Sequence, residues 1–575
     1  MVSDETIIEQ HRREKLDSVR FKERRTAQWN ENYLLYRDKV ITNRLTQRQP
    51  VNIPVIRDTI QNWMSKIDDA PMLTFKTRGR SNRDQRGEIY INELWGYTFD
   101  DERLELKDNL DKKIVGLQGR SFKYWYFKDG RARCSVVDPY DIDIDPRVSP
   151  FDLNTAAYFN HKNIYVPLRN ILANPTYTPV GKNSLKIYLD SKQGLLRAND
   201  VEQDYQQKIL RLTELGVNNY NDYASDVMVE INRSHKLLWD EVEQKFVRYL
   251  IVIALDSIVL YKKPLKKAVG IDFLPYTTWA SDPDLNDIWS DGIADSVRTV
   301  NKVINVYFSQ DIENRAYRNF GMYFFNNQNG QFQPQAFEAK PFGMYGVPGN
   351  PTEIIQQMKI EPLPDTTNVI EYFKNLIQSS VAQTPTERGE QVKSRTTLGE
   401  IQLNLQATKT RNQVVSKQYQ SSWEESGHIW YELMKSNSNG QITLTKRAQN
   451  GEMYSKTISK SDWVTPDGYD CEVMLKSDSD ASDNVEFSKL QYIQQSFAQN
   501  PVALKIARRK ELELLGWSPD DIDEVMKQEE QAPTPAIDPN TGQPIQPDAS
   551  GVAPTPASSP QPTPLGGQPT MSAGL

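Results

Sequence analysis

Four carboxylates, Asp138, Asp141, Asp143 and Asp145, fall within eight positions in the stretch VDPYDIDIDPRVSPFD, residues 137–152. Carboxylates that dense could ligate a divalent cation, as in a calcium loop or a two-metal nuclease. A calcium loop opening D-x-D-x-D needs glycine at its sixth position and glutamate at its twelfth. Here those places hold Pro146 and Asp152, so the motif fails. A nuclease needs carboxylates converging from separate elements, which one stretch cannot supply. Tyr140, Ile142 and Ile144 alternate with the aspartates. Period two predicts a strand with an apolar face on a core and a solvated aspartate face, bounded by turns at both Asp-Pro pairs.

Other chemistries fare no better. The tetrapeptide GKNS at Gly181 resembles the end of a phosphate-binding loop, but the upstream glycine would be residue 176, which is threonine. His11, His161, His235 and His428 are scattered, with no ligand spacing, and read as surface or boundary residues. Cys134 and Cys471 are far apart, so a disulfide framework is not expected and a reducing compartment fits. No nucleophile elbow occurs, and no constellation supports an enzyme, a cofactor or a metal site. RREKLDSVRFKERR near the N-terminus interleaves acids and bases and reads as a solvated helix face.

The elements that position these residues follow from periodicity. Residues 3–39 are helical in pattern, with Trp29, Tyr33 and Tyr36 on one side. Val55, Ile56, Ile60, Trp63, Met64 and Ile67 mark an amphipathic helix, stopped by Pro71. A polar helical stretch from Asn82 leads to a hairpin turning at Asp129-Gly130. YLIVIALDSIVLY, residues 249–261, is too short for a membrane span and reads as two strands turning near Asp256. A long helix starts after a cap at Ser290 or Asp291 and ends at Gly321. A Pro/Gly-rich excursion, a shorter helix, a polar loop and a third helix from about Thr396 to Lys435 follow. A β segment turns at Asn450-Gly451, further helices run to about Glu530, and a Pro/Gln/Ser-rich tail is too polar to order itself. At 575 residues the chain exceeds one core. Its net charge of -7 argues against tight non-specific DNA binding.

This order of elements resembles the portal proteins of tailed bacteriophages, in the group that includes the short-tailed podovirus portals. VNIPVIRDTIQNWMSKIDDAPMLTF resembles an early portal helix and strand. GLQGRSFKYWYFKDGRARCSVVDPYDIDIDP is similar to a wing segment, DGIADSVRTVNKVINVYFSQDIEN to the stem helix, and RTTLGEIQLNLQATKTRNQ to the start of the long helix after the tunnel loop. The likeness covers roughly Asn30 to Trp517.

The resemblance implies an α+β subunit with a β-rich wing, a two-helix stem, a clip, a long helix and a helical crown. The divisions it implies are N-terminal helix and wing over 1–289, first stem helix 290–320, clip 321–366, second stem helix 367–381 and tunnel loop 382–395. A long helix over 396–436, a β segment of the wing over 437–482, crown helices over 483–530 and a disordered tail over 531–575 complete the chain. It implies a non-enzymatic ring, usually of twelve copies, at one capsid vertex of the virion, assembled from chains made in the host cytoplasm. Duplex DNA would pass through the ring, driven by a separate terminase ATPase. Partners would be the terminase large subunit, the major capsid protein and a head–tail adaptor, with no membrane. Channel residues would be Glu387, Arg388, Glu390, Lys393 and Arg395 in the tunnel loop, with Arg298, Lys302, Arg315 and Arg318 on the stem. Phe332, Phe337, Phe342, Met344 and Tyr345 would anchor clip contacts. Two other readings stay open: a capsid-associated metal-dependent nuclease using the Asp138–Asp145 cluster, and another tail or adaptor structural protein.

Overall fold

The computed structural model describes residues 3–39, 51–65, 67, 72–79, 81–191, 228–241, 243–285, 287–320, 322–325, 355–358, 361, 366–380, 398–438, 440–447 and 453–474. Isolated helical positions follow, between 490 and 512. The chain divides into two units, Met1–Ser479 and Asp480–Leu575, and the first holds every element below. It is mixed α+β. Apart from those positions the crown, and with it the tail and the Asn450-Gly451 turn, lies outside the described residues.

Helix α1 (Asp4–Tyr36) is capped by Ser3, whose hydroxyl accepts from the Thr6 amide. Helix α2 (Val55–Met64) buries Ile56, Thr59, Ile60 and Trp63. It ends seven residues before Pro71, so the proline is not its stop. Strand β1 (Met72–Thr77) precedes α3 (Asn82–Asp101), which Ser81 and Asp84 open with a reciprocal capping box. Helix α4 (Leu104–Gln118) ends at Gly119 in the left-handed region, φ 84°. A side chain at Gly119 would collide with the Ser290 carbonyl, so this glycine lets two segments cross.

Strands β2 (Arg120–Lys128) and β3 (Arg131–Val137) form the expected hairpin. Asp129 and Gly130 both take positive φ, which matches the strand twist. The aspartate stretch is a short 3₁₀ turn over Pro139–Asp141 and strand β4 (Ile142–Ile144). Strand β5 (Tyr158–Pro167) leads to α5 (Leu168–Ala173) and α6 (Pro179–Ser191). Gly181 of the GKNS tetrapeptide therefore lies inside a helix, against the backbone of Val259. Strands β6 (Met228–Asp240), β7 (Lys245–Ala254) and β8 (Ile258–Pro264) complete a five-stranded antiparallel sheet, ordered β4-β5-β6-β7-β8. The β7–β8 turn places Leu255 and Asp256 at positive φ, as the sequence placed it. After α7 (Leu265–Val269), β9 (Tyr276–Ala280) joins β2 in a second sheet, ordered β3-β2-β9.

The remaining elements are helical with short strands. Helix α8 (Ile293–Phe320) is followed by β10 (Met322–Phe325), which pairs antiparallel with β11 (Ile355–Met358). Helix α9 (Thr366–Ser380) returns along α8, and α10 (Leu398–Asn437) spans 40 residues. Strands β12 (Gln441–Arg447) and β13 (Met453–Ser459) pair with each other. Beyond α11 (Lys460–Trp463), β14 (Tyr469–Met474) pairs with β1, so distant parts of the chain share one two-stranded sheet. The largest core gathers Trp63, Trp95, Trp125, Trp279, Trp423, Trp430 and Trp463 around α10. A second, around Trp29, Tyr140 and Trp289, holds α1 on the aspartate stretch.

The cap of α8 differs from expectation. Neither Ser290 nor Asp291 caps it; Asp295 turns back and accepts from the Gly292 amide. Ser290 is fully buried where the chain passes Gly119.

Candidate functional site

Three arrangements in the first unit bear on function. The first is the pair α8 and α9. Asn314 donates to the Glu361 carbonyl at 3.2 Å, while Tyr307 meets Phe373 with ring centroids 6.3 Å apart. The residue numbers run in opposite senses, so the helices are antiparallel, with the β10–β11 pair beyond the C-terminal end of α8. Val297, Asn301 and Ile304 of α8 are buried, and the segment leading into α2 is held to the same helix by Asn305 and Ser309, which accept from the Ile53 and Val51 amides. Ile377 and Phe373 turn α9 toward α8. Its other flank carries Val369, Tyr372 and Leu376 at i, i+3, i+7, with Tyr372 64% exposed, next to exposed Val306 and Tyr307 on α8.

The cations of α8 divide into two groups. Arg298 pairs with Glu31 at 3.2 Å and Asp295 at 2.6 Å, and Lys302 pairs with Glu31, so both are engaged with α1 or their own helix. Arg315 is exposed, with Asp311 at 2.9 Å, and Arg318 is exposed. The clip residues Phe332, Phe337, Phe342, Met344 and Tyr345 lie outside the described residues. So do the loop residues Glu387, Arg388, Glu390, Lys393 and Arg395.

The second arrangement corrects the reading of the aspartates. Their face is covered by α1 rather than solvated. Asp143 is 1% exposed, with Lys162 at 2.9 Å, Lys22 at 3.2 Å and the Ser18 hydroxyl at 3.2 Å. Burial alone would raise its carboxyl; Lys162 and Lys22 outweigh that and hold it below its ordinary value. Lys22 also donates to the carbonyls of Tyr140 and Ile142. Asp145 is clasped by Arg147, Asp138 caps the 3₁₀ turn, and Asp141 accepts from Asn163. The four carboxylates thus do not converge, and no metal-binding group of three ligands occurs among the described residues.

The charged stretch of α1 has the expected solvated side, at Arg12, Arg13, Asp17, Arg20, Glu23 and Arg24, but its opposite side is docked. His11, Glu14, Ser18 and Lys22 repeat at i, i+3, i+7, i+11 and meet Asp256, Lys236 and Asp143 across the sheet. Lys15 joins His11 and Asn232 on Asp256. His11 and His235 are interior residues, not surface ones.

The third arrangement was not foreseen in the sequence. Asp108 and Asp111 of α4 are both buried beneath α10. Asp108 holds Lys112 at 2.8 Å, and accepts from Tyr419 at 2.7 Å and Trp423 at 3.3 Å. Asp111 holds Lys123 at 3.2 Å, and accepts from Trp279 at 2.6 Å and Ser121 at 2.5 Å. The two ammonium groups also lie over the rings of Tyr419 and Trp423. Burial raises the Asp108 carboxyl, against the pull of Lys112. The network ties α4, β2, β9 and α10 together at one point. Its one local trace in the sequence is the Asp108–Lys112 pair at i, i+4.

No family model matches this chain, and no curated protein matches it. No helix among the described residues is long and apolar enough to cross a membrane.

Proposed function

We propose that this chain is the subunit of a phage portal: a ring at one capsid vertex through which duplex DNA is packaged and later ejected. The observation that carries the reading is the arm formed by α8, β10, β11 and α9. It runs out as a helix, turns through paired strands and returns antiparallel, and the 40-residue α10 follows. The apolar stripe of Val369, Tyr372 and Leu376 gives α9 a second face that its own unit does not cover among the described residues. A ring supplies that cover from the neighbouring copy.

In this reading α8 and α9 are the stem, and residues 321–366 form the clip that docks the terminase large subunit and then the head–tail adaptor. The wing meets the major capsid protein. Arg315 and Arg318 are the stem cations offered to passing DNA, while Arg298 and Lys302 brace the stem against α1. The loop over 382–395, with Glu387, Arg388, Glu390, Lys393 and Arg395, encircles the duplex. Mixed charge there, on a chain of net charge -7, holds DNA loosely by long-range attraction and does not brake it. The chain does no chemistry of its own; the motor's ATPase is a separate protein.

The nuclease alternative draws no support from the aspartate geometry, because Lys22 and Lys162 already occupy the oxygens of Asp143. The test is genetic. In cells producing the virus, removing this chain is expected to leave shells without DNA, and resupplying it to restore filled heads. DNA-filled heads assembled in its absence would overturn the reading.

A further inference from the structure

A cavity of about 320 Å³ lies between the β1–β14 pair and α10. Its charges do not balance. Arg78 and Asp470 on its wall pair with each other at 2.6 Å, and each is more than half exposed. That leaves Glu424 and Glu425 of α10, and neither makes a hydrogen bond or ion pair among the described residues. Glu424 is exposed and Glu425 half-buried. Lys123, whose charge reaches Glu425, is already held by Asp111 at 3.2 Å. Burial, with Asp152 nearby, therefore raises the Glu425 carboxyl to about 7, as expected of a carboxylate that lacks a cation. Cys471 adds no charge, because burial pushes its thiol up to about 12. His428 is exposed and stacks on Phe273, with ring centroids 5.4 Å apart. The rest of the wall is aromatic. Tyr469 meets Phe75 and Tyr431 edge to face, with centroids 6.4 and 5.3 Å apart. Tyr431 is 4% exposed, and its hydroxyl has no hydrogen-bond partner among the described residues. Buried hydroxyls are ordinarily paired. A hydroxyl and a carboxyl, both without partners in the walls of one cavity, define what an occupant must supply: N–H donors and positive charge.

We propose that this cavity binds an alkyl ammonium: a primary amine whose charged end meets Glu425 and the Tyr431 hydroxyl, and whose carbon chain lies against the rings of Phe75, Tyr431 and Tyr469. An ammonium donates three hydrogen bonds and accepts none, which suits a carboxylate and a hydroxyl oxygen. Aromatic faces attract it further. A metal ion is a poorer match, since no group of three ligands gathers among the described residues. Exposed Glu424, one position before Glu425, suits a second ammonium, so a short diamine would use both carboxylates. The cavity is lined by residues of the first unit alone, and the proposal stands apart from the ring reading.

The test titrates the full-length chain with diaminobutane by calorimetry at about pH 8, where Glu425 is ionised. Butanediol is the uncharged analogue, Nα-acetyl-lysine amide the probe for a lysyl side chain, and magnesium chloride the control for attraction to any cation. The expected result is saturable binding of diaminobutane, none of butanediol, and no displacement by magnesium at equal concentration. Glu425→Gln should weaken that binding by about tenfold or more, the size of a lost hydrogen bond to a charged group, and Tyr431→Phe by less. Both variants keep the shape of the side chain, and a urea midpoint no lower than that of the parent chain shows that they fold. Binding of the lysine probe alone, lost in Glu425→Gln, would keep the ammonium chemistry and assign it to a lysine of a partner chain. Binding of neither amine, or binding that survives Glu425→Gln, would overturn the proposal. Displacement by equal magnesium would do the same, leaving only an acidic patch.

Discussion

Asp143 loses its water and keeps its charge, because two ammonium groups reach it from different elements. Removing one member of such a cluster leaves the others buried and uncompensated, which is costlier than never burying them. Asp143→Ala should therefore destabilise the first unit by about 3–5 kcal/mol. Urea unfolding followed by tryptophan fluorescence measures this, since Trp29 and Trp289 pack beside the site. Glu425 gives the opposite case. Burial, with Asp152 nearby, raises its carboxyl from 4.5 to about 7. The folded state then holds the proton more tightly than the unfolded chain does. Its contribution is fully present below about 4.5 and is lost as pH rises through about 7. Glu425→Gln removes that loss, so it should stabilise the protein by about 1–3 kcal/mol at pH 8 and change little at pH 4. The urea midpoint at the two pH values checks it. At this scale the sequence was readable only in part. Alternation along Tyr140–Asp145 correctly gave the apolar side. It could not say that a polar helix covers the other, because that pairing spans more than a hundred residues.

At the scale of elements, local chemistry decided most outcomes. The Asp129-Gly130 hairpin, the β7–β8 turn, α2 and the long α8 and α10 all follow from turn residues and apolar period. Helix α1 was legible as a helix, but its docking was not, because the docked face is built from His11, Glu14, Ser18 and Lys22 and carries little apolar signal until Trp29. Apolar periodicity reports contact with oil-like surroundings, not contact with paired charge. The cap of α8 was missed for a related reason: Ser290 is a good capping type, but the chain needs it buried beside Gly119, so Asp295 does the capping. The exposed apolar flank of α9 carries the element-scale prediction. Tyr372→Ser with Leu376→Ser removes two exposed side chains, so the helical signal and urea midpoint of the unassembled chain should hold within about 0.5 kcal/mol. Assembly should fall by more than tenfold in protein concentration, read by mass photometry, as anchor residues at interfaces are worth about 2 kcal/mol or more. Unchanged assembly would mean that this stripe faces no neighbour.

At the scale of the molecule, two fixed points organise the first unit. The α1 seam locks the five-stranded sheet to the start of α8, through Asp143 at one end and Glu31 with Arg298 at the other. The Asp108–Asp111 network locks α10 to α4 and the smaller sheet. The α8–α9 arm springs from between these points, so its base is rigid while its outer flank remains apolar. That combination suits a subunit whose stem must be oriented before neighbours close around it. The succession of three helices, α8, the shorter α9 and the long α10, was legible from composition and period alone. Copy number was not, because it depends on the angle between neighbouring subunits rather than on any one subunit's fold. The account stands or falls on closure. Purified full-length chain at micromolar concentration, imaged by negative-stain electron microscopy, should give closed rings with a central hole wide enough for a DNA duplex. A field of single subunits, or of open filaments with no closed particle, would contradict it.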